Sequence, residues 1–153
     1  MKDKLEECMA SARQGQHKCK PSFAIFVVGD THPNVRDHVG DAIGQNMSPS
    51  MLNRRANPPK DRNWLTPYKG AGKPCNGGSG TSCDEYPFNA SMQGHPLGSV
   101  GPGSISLRSV PERENYASGG TLGAFYRFGC KIPPGGSYKV VAVKGVSSGY
   151  VCQ

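Results

Sequence analysis

Six cysteines stand at positions 8, 19, 75, 83, 130 and 152 of a 153-residue chain, and they restrict its fold more than any other feature. None forms a Cys-x-x-Cys pair or a Cys/His cluster with zinc spacing, so a structural metal does not account for them. Disulfides do, and they imply an oxidising compartment. Six cysteines allow fifteen pairings. The expected pairing is sequential, Cys8–Cys19, Cys75–Cys83 and Cys130–Cys152, because each bridge then closes a short local loop. A chain of this size can bury about 70% of its unfolded surface and form one domain, residues 1–153. With 21 glycines and 13 prolines, the composition falls just short of low complexity. A loop-rich globular domain is expected.

Between the cysteines, apolar residues fall into short blocks. Leu5, Cys8, Met9 and Ala12 recur at helical spacing, with Asp3 as a cap and Gly15 as a stop. Phe23 to Val28 is the longest strongly apolar run; it suits a buried strand and is far too short to span a membrane. Pro33 to Ile43 reads as a second helix, with Val35, Val39, Ala42 and Ile43 on one face and Gly44 at its end. A strand near 104–110 follows from Ile105 and Leu107, and a helix over 118–128 from Leu122, Phe125 and Tyr126. Tyr138 to Val143 is a further strand, with 146–151 expected to pair with it across Lys144-Gly145. Residues 46–82 carry five prolines and a glycine cluster and read as a long basic loop. The class is α+β: a small, mostly antiparallel sheet with a few short helices, loop-rich and disulfide-stapled. Met1 to Glu7 contains no apolar run of the signal-peptide kind. Together with the disulfides, this suggests a mature fragment or a domain excised from a larger exported protein.

The formal net charge is +7. Arg54, Arg55, Lys60, Arg62, Lys69 and Lys73 face only Asp61 over one stretch, so six cations less one anion place +5 there. Concentrated cations attract phosphate backbones, and Trp64 and Tyr68 in the same stretch could stack on bases. The plain alternative is a solvated basic surface. Gly70-Ala71-Gly72-Lys73 is not a phosphate loop, since Pro67 occupies a required glycine position and Pro74 follows the lysine. Nucleophile-elbow, zincin and EF-hand patterns are absent.

Two acidic blocks carry the candidate chemistry. Cys83-Asp84-Glu85-Tyr86-Pro87-Phe88 sets adjacent carboxylates beside an aromatic-proline-aromatic run. Carboxylate oxygens suit hard divalent cations, although paired acids are often only solvated loop charges. Val110-Pro111-Glu112-Arg113-Glu114-Asn115 follows, and then Gly119-Gly120-Thr121-Leu122-Gly123-Ala124-Phe125-Tyr126-Arg127. Ser109-Val110-Pro111-Glu112 also matches a capping box, which would give Glu112 a structural job. In this order the two blocks resemble the NucA/NucB family of secreted bacterial deoxyribonucleases. That family is marked by an Asp-Glu-Tyr-Pro-Phe-like core and a downstream Glu-Asn…Gly-Gly-x-Leu-x-x-Phe-Tyr. The resemblance is firmest over residues 73–144 and fainter over 22–72.

The resemblance implies an extracellular, metal-dependent endonuclease with little sequence preference. Similar domains also form the toxin tips of large bacterial effectors, which implies a cognate immunity protein. By the same resemblance, Asp84, Glu85 and Asn115 would surround a magnesium or manganese ion. Glu114 would be the base or a metal-side acid, and Arg113 would contact phosphate. Which carboxylate is base and which is ligand stays open. Arg54, Arg55, Lys73 and Arg127 are the candidate substrate-binding cations, DNA is the expected partner, and no membrane insertion is expected. His38 reads as a half-buried structural histidine, although its segment is similar to a His-containing helix of larger family members; His95 lies nearer the acids. Asn89 and Gly94-His95-Pro96 depart from the family pattern, so the substrate loop is expected to have its own shape. Two alternatives remain: a ribonuclease, and a non-catalytic basic module that docks on nucleic acid or an acidic partner.

Overall fold

A computed structural model describes residues 2–153. A four-stranded sheet with strand order β2-β5-β1-β6 lies at its centre. β1 (Ala24–Val28) is almost wholly apolar because it is flanked on both sides and covered on both faces. It runs parallel to β5 (Ser137–Ala142) and antiparallel to β6 (Gly149–Val151), while β2 (Met51–Asn53) pairs antiparallel with β5. β6 is therefore not the hairpin partner of β5. Both edges of β5 are taken by β1 and β2, so the chain after Gly145 crosses to the free edge of β1. Asp30 N–H donates to Val146 O at 2.7 Å along that crossing.

α1 (Lys2–Arg13) packs its buried Cys8 and Met9 against Val27, Val146 and Val151. The other face of the sheet carries the main core, in which α2 (Pro33–Gly44) contributes Val35, Val39 and Ala42. Phe125 is completely buried, with ring centroids 5.5 Å from Phe26 and 5.4 Å from Tyr138. Truncating such a ring costs about 3–5 kcal/mol.

A second, two-stranded antiparallel sheet pairs β3 (Thr81–Tyr86) with β4 (Ser106–Pro111). α3 (Glu112–Ala124) starts directly off β4 and runs on as a π-helical segment, Phe125–Gly129. The helix thus begins six residues before the expected 118. Its first turn and a half, Glu112 to Ala117, is mostly charged or polar and shows no apolar stripe, and Ser118-Gly119-Gly120 follows, yet Glu112 and Glu114 in the first turn suit the helix dipole. No capping box forms. Ser109 stays in β4, where its Oγ accepts from Gly77 N–H at 2.8 Å.

Residues 46–82 are more ordered than their composition suggests. They contain β2 and a 3-10 helix, Asn63–Tyr68, whose Leu65 is buried with Cys75, Ile105 and Leu107. The disulfides join Cys8–Cys19, Cys75–Cys83 and Cys130–Cys152, and the second pins this segment to β3. Among the described residues, no helix is long and apolar enough to cross a membrane.

Candidate active site

A cleft of about 1010 Å³ opens along β3. β3 pairs with β4 on one side only. Its other edge is free, and Thr81 through Glu85 line the cleft in succession. The facing wall is one stripe of α3: Glu112, Asn115, Tyr116, Gly119, Leu122 and Gly123 recur at the three-and-four spacing of a single helix face. Arg54, Arg55, Arg62, Lys69 and Arg127 complete the rim. Five cations thus surround Asp84, Glu85 and Glu112.

Side chains of neighbouring strand residues leave toward opposite faces, and the contacts of β3 follow that rule. On one face, Ser82 Oγ accepts from Asn115 Nδ2 at 2.8 Å, and Asp84 Oδ2 lies 2.6 Å from His38 Nδ1. On the other, Cys83 is bonded to Cys75, and Glu85 Oε1 is ion-paired with Arg62. The two adjacent acids therefore reach the cleft edge from different sides with different neighbours.

His38 is not half-buried but fully enclosed, its Nε2 3.0 Å from the Ser106 hydroxyl. So enclosed, it meets the Asp84 carboxylate and does not line the cleft. Glu85 is 5% exposed, and its Oε2 is buried without a hydrogen-bond partner. Leaving a carboxylate oxygen in that state costs on the order of 1–3 kcal/mol or more; a catalytic role, an ordered water or a bound ion is what accounts for such an atom in a native fold. Asn89 Oδ1 is in the same condition, while its Nδ2 donates to Pro59 O at 2.9 Å. Partial burial lowers the Arg62 pKa; Asp84 opposes that shift and Arg55 adds to it. Arg55 is lowered by burial as well.

Of the residues singled out from sequence, Asp84, Glu85, Asn115, Arg54, Arg55 and Arg127 line the cleft. Glu114, Arg113 and Lys73 do not. Glu114 lies on the far side of α3, where Oε1 accepts from Val35 N–H at 2.8 Å and Oε2 from Asn34 Nδ2 at 2.9 Å, capping α2. Arg113 and Lys73 are exposed outside the cleft lining. Arg54 is held by the fold: it donates to Ile132 O at 2.6 Å and lies 5.3 Å from the Tyr126 ring centroid. Trp64 has one face stacked on His95 at 4.1 Å, with the rings 7° from parallel, and does not line the cleft. The two departures from the family pattern thus have a use, since Asn89 and His95 both tie the 46–82 segment to the acidic block.

Sequence reasoning did not single out Arg62, Lys69, Tyr116, Ser82 or Asn89 as site residues. Arg62 and Lys69 entered only as anonymous charges of a basic stretch. Tyr116 could have been found from its place one residue after the Glu-Asn step.

Among the described residues, no group of three or more His, Cys, Asp or Glu side chains gathers as a metal cage. The oxygens present still fit a hard cation that keeps most of its water, since magnesium commonly takes only one or two carboxylates plus substrate phosphate. Asp84 and Asn115 approach from one face of β3, and Glu85 Oε2 has no competing partner. No individual curated protein matches the chain. Residues 42–141, well over half of its length, match the family model described as Deoxyribonuclease NucA/NucB. This cleft-bearing, disulfide-stapled chain belongs to the NucA/NucB deoxyribonuclease family.

Proposed function

We propose that this deoxyribonuclease cuts DNA at the β3–α3 cleft as a metal-dependent endonuclease with little sequence preference. The observation that carries the reading is the unpartnered Glu85 Oε2 on a cleft rimmed by five cations. The cations would draw and hold the phosphate backbone without reading bases. Asp84, oriented by His38, and Asn115, oriented by Ser82, would hold a magnesium or manganese ion. Such an ion, when bound, supplies Lewis-acid stabilisation of charge building on the phosphate. Glu85, its Oε1 engaged by Arg62, would accept the proton of the attacking water at Oε2. Arg62 keeps N–H donors for the same phosphate. Glu114, which the family resemblance points to as base, would serve as the cap of α2.

Three disulfides support an extracytoplasmic life for the domain. Delivery as an effector tip and protection of the producer by an acidic immunity protein covering the basic rim extend the same proposal. A plasmid-nicking assay tests the core of it. Asp84→Asn and Glu85→Gln should each slow cleavage by about a hundredfold or more, and EDTA should abolish it. An Asp84→Asn protein that nicks at the wild-type rate refutes the assignment.

A further inference from the structure

The aromatic residues that sequence suggested for base stacking, Trp64 and Tyr68, pack on other rings and do not line the cleft. Trp64 has one face on His95, and Tyr68 meets Trp64 edge-on at 6.2 Å. Phe88 and Tyr126 line the cleft but are 9% and 5% exposed, so they form its floor. Tyr116 differs. It lines the cleft, is 71% exposed, and stands next to Asn115 on the catalytic face of α3. Its hydroxyl donates to Glu112 Oε1, one turn back, at 3.3 Å, which ties the ring to its own helix. One turn onward, Gly119 and Gly120 leave the helix surface open, with nothing within 4 Å of where a side chain would begin. A large aromatic ring left in water at the mouth of a cationic cleft, with vacant space beside it, has both features of a base-stacking platform.

The cleft also limits what can occupy it. Its volume of about 1010 Å³ is at the upper end of small-ligand sites, roughly 300–1,000 Å³. That space holds a short run of nucleotides beside the Tyr116 ring, whose face can pair only with a base that has left its own stack.

We infer that Tyr116 stacks on a nucleobase of an unpaired DNA segment, so that the site takes single-stranded or locally melted DNA in preference to duplex. The inference rests on the proposed nuclease reading of the same cleft. Arg62, Lys69 and Arg127 hold the phosphates, and the Tyr116 ring holds the base beside the cleavage point. Stacking on a ring is tolerant of base identity, which agrees with a nuclease of low sequence preference.

The test is fluorescence anisotropy in EDTA with two labelled single strands of equal length, one carrying bases and one abasic. Tyr116→Ala should weaken binding of the base-bearing strand by roughly tenfold and leave the abasic strand unaffected, while Tyr116→Phe binds both as wild type does. Unlabelled single strand should displace the probe from wild type more effectively than duplex of the same sequence. Equal competition by duplex, or a Tyr116→Ala protein that binds both probes unchanged, overturns the inference. A wild-type protein that nicks plasmid yet gives those results loses only the stacking role. A wild-type protein that binds neither strand removes the nuclease reading of the cleft as well.

Discussion

Glu114 separates two readings of α3, one from the family resemblance and one from the fold. Its carboxylate accepts from Val35 N–H and Asn34 Nδ2 at the start of α2, and Val35 is 1% exposed. The Val35 contact is part-buried and the Asn34 contact is exposed, so water can reach only part of the vacated position. Glu114→Ala leaves a part-buried N–H without its partner, which costs about 1–3 kcal/mol. It also removes a negative charge from a helix N-terminus, which contributes about 0.3–1 kcal/mol. The sum is about 1–4 kcal/mol, or roughly 3–16 °C in Tm for a domain of this size. Glu114→Gln retains an acceptor for Val35 and loses only the charge, so about 1 kcal/mol and roughly 2–4 °C are expected. Differential scanning calorimetry should show that order, wild type above Gln above Ala. Plasmid nicking well below all three transitions should remain close to wild type for the Gln protein. The opposite pattern, an unshifted Tm with cleavage down about a hundredfold, would show that Glu114 acts on the substrate and that its role as a cap is incidental.

Three further outcomes follow from named contacts. Lys69→Ala with Arg127→Ala removes two exposed rim cations; each phosphate contact contributes about 0.9 to the slope of log affinity against log salt, so the slope should flatten by about two, and an unchanged slope places the DNA track elsewhere. Breaking Cys75–Cys83 by a double alanine substitution releases an eight-residue closure, worth about 2.5 kcal/mol in chain entropy; urea midpoints should fall, and cleavage should fall with them because Arg62 then leaves the β3 edge. The His32 pKa is lowered by burial, against the pull of Glu114, so its stability contribution is full above about pH 6.5 and is lost as pH falls through the lower native value; His32→Gln should flatten the decline in urea midpoint between neutral and mildly acid pH, and an identical decline in both proteins removes His32 as its source.

What could be read from sequence divides by range. The disulfide pairing and three strands of the central sheet, β1, β5 and β6, were legible because each is a local matter: short loop closures, and unbroken runs such as Ala24 to Val28. β2 was not, because Met51–Asn53 is a three-residue strand inside a segment whose prolines and glycines read as loop. The partner of β6 was not, because occupancy of both edges of β5 by β1 and β2 is decided by residues far away in the chain. The contacts that define the site are of the same distant kind. His38 finds Asp84 across 46 positions, Ser82 meets Asn115 across 33, and Arg62 reaches Glu85 from a segment that composition alone describes as loop. Each of those residues was visible, but the pairing was not.

The case of α3 shows how a small error in a boundary changes the chemistry assigned. A helix turns about 100° per residue, so the face a residue presents depends on whether it lies in the helix at all. Begun at 118, the helix leaves Glu112, Glu114 and Asn115 in a loop, where Glu114 and Asn115 could both turn to the acidic pair. Begun at Glu112, as observed, it puts Glu112, Asn115 and Tyr116 on one stripe and swings Glu114 about 200° from Glu112, toward α2. The Glu-Asn step then splits, with the amide facing the cleft and the acid facing the core-side helix. The same geometry that takes Glu114 away from the cleft brings Tyr116 to it. An exposed ring at that point is therefore a consequence of the helix phase, and the phase itself is set by Pro111, the last residue of β4 and the point at which extended chain gives way to helix.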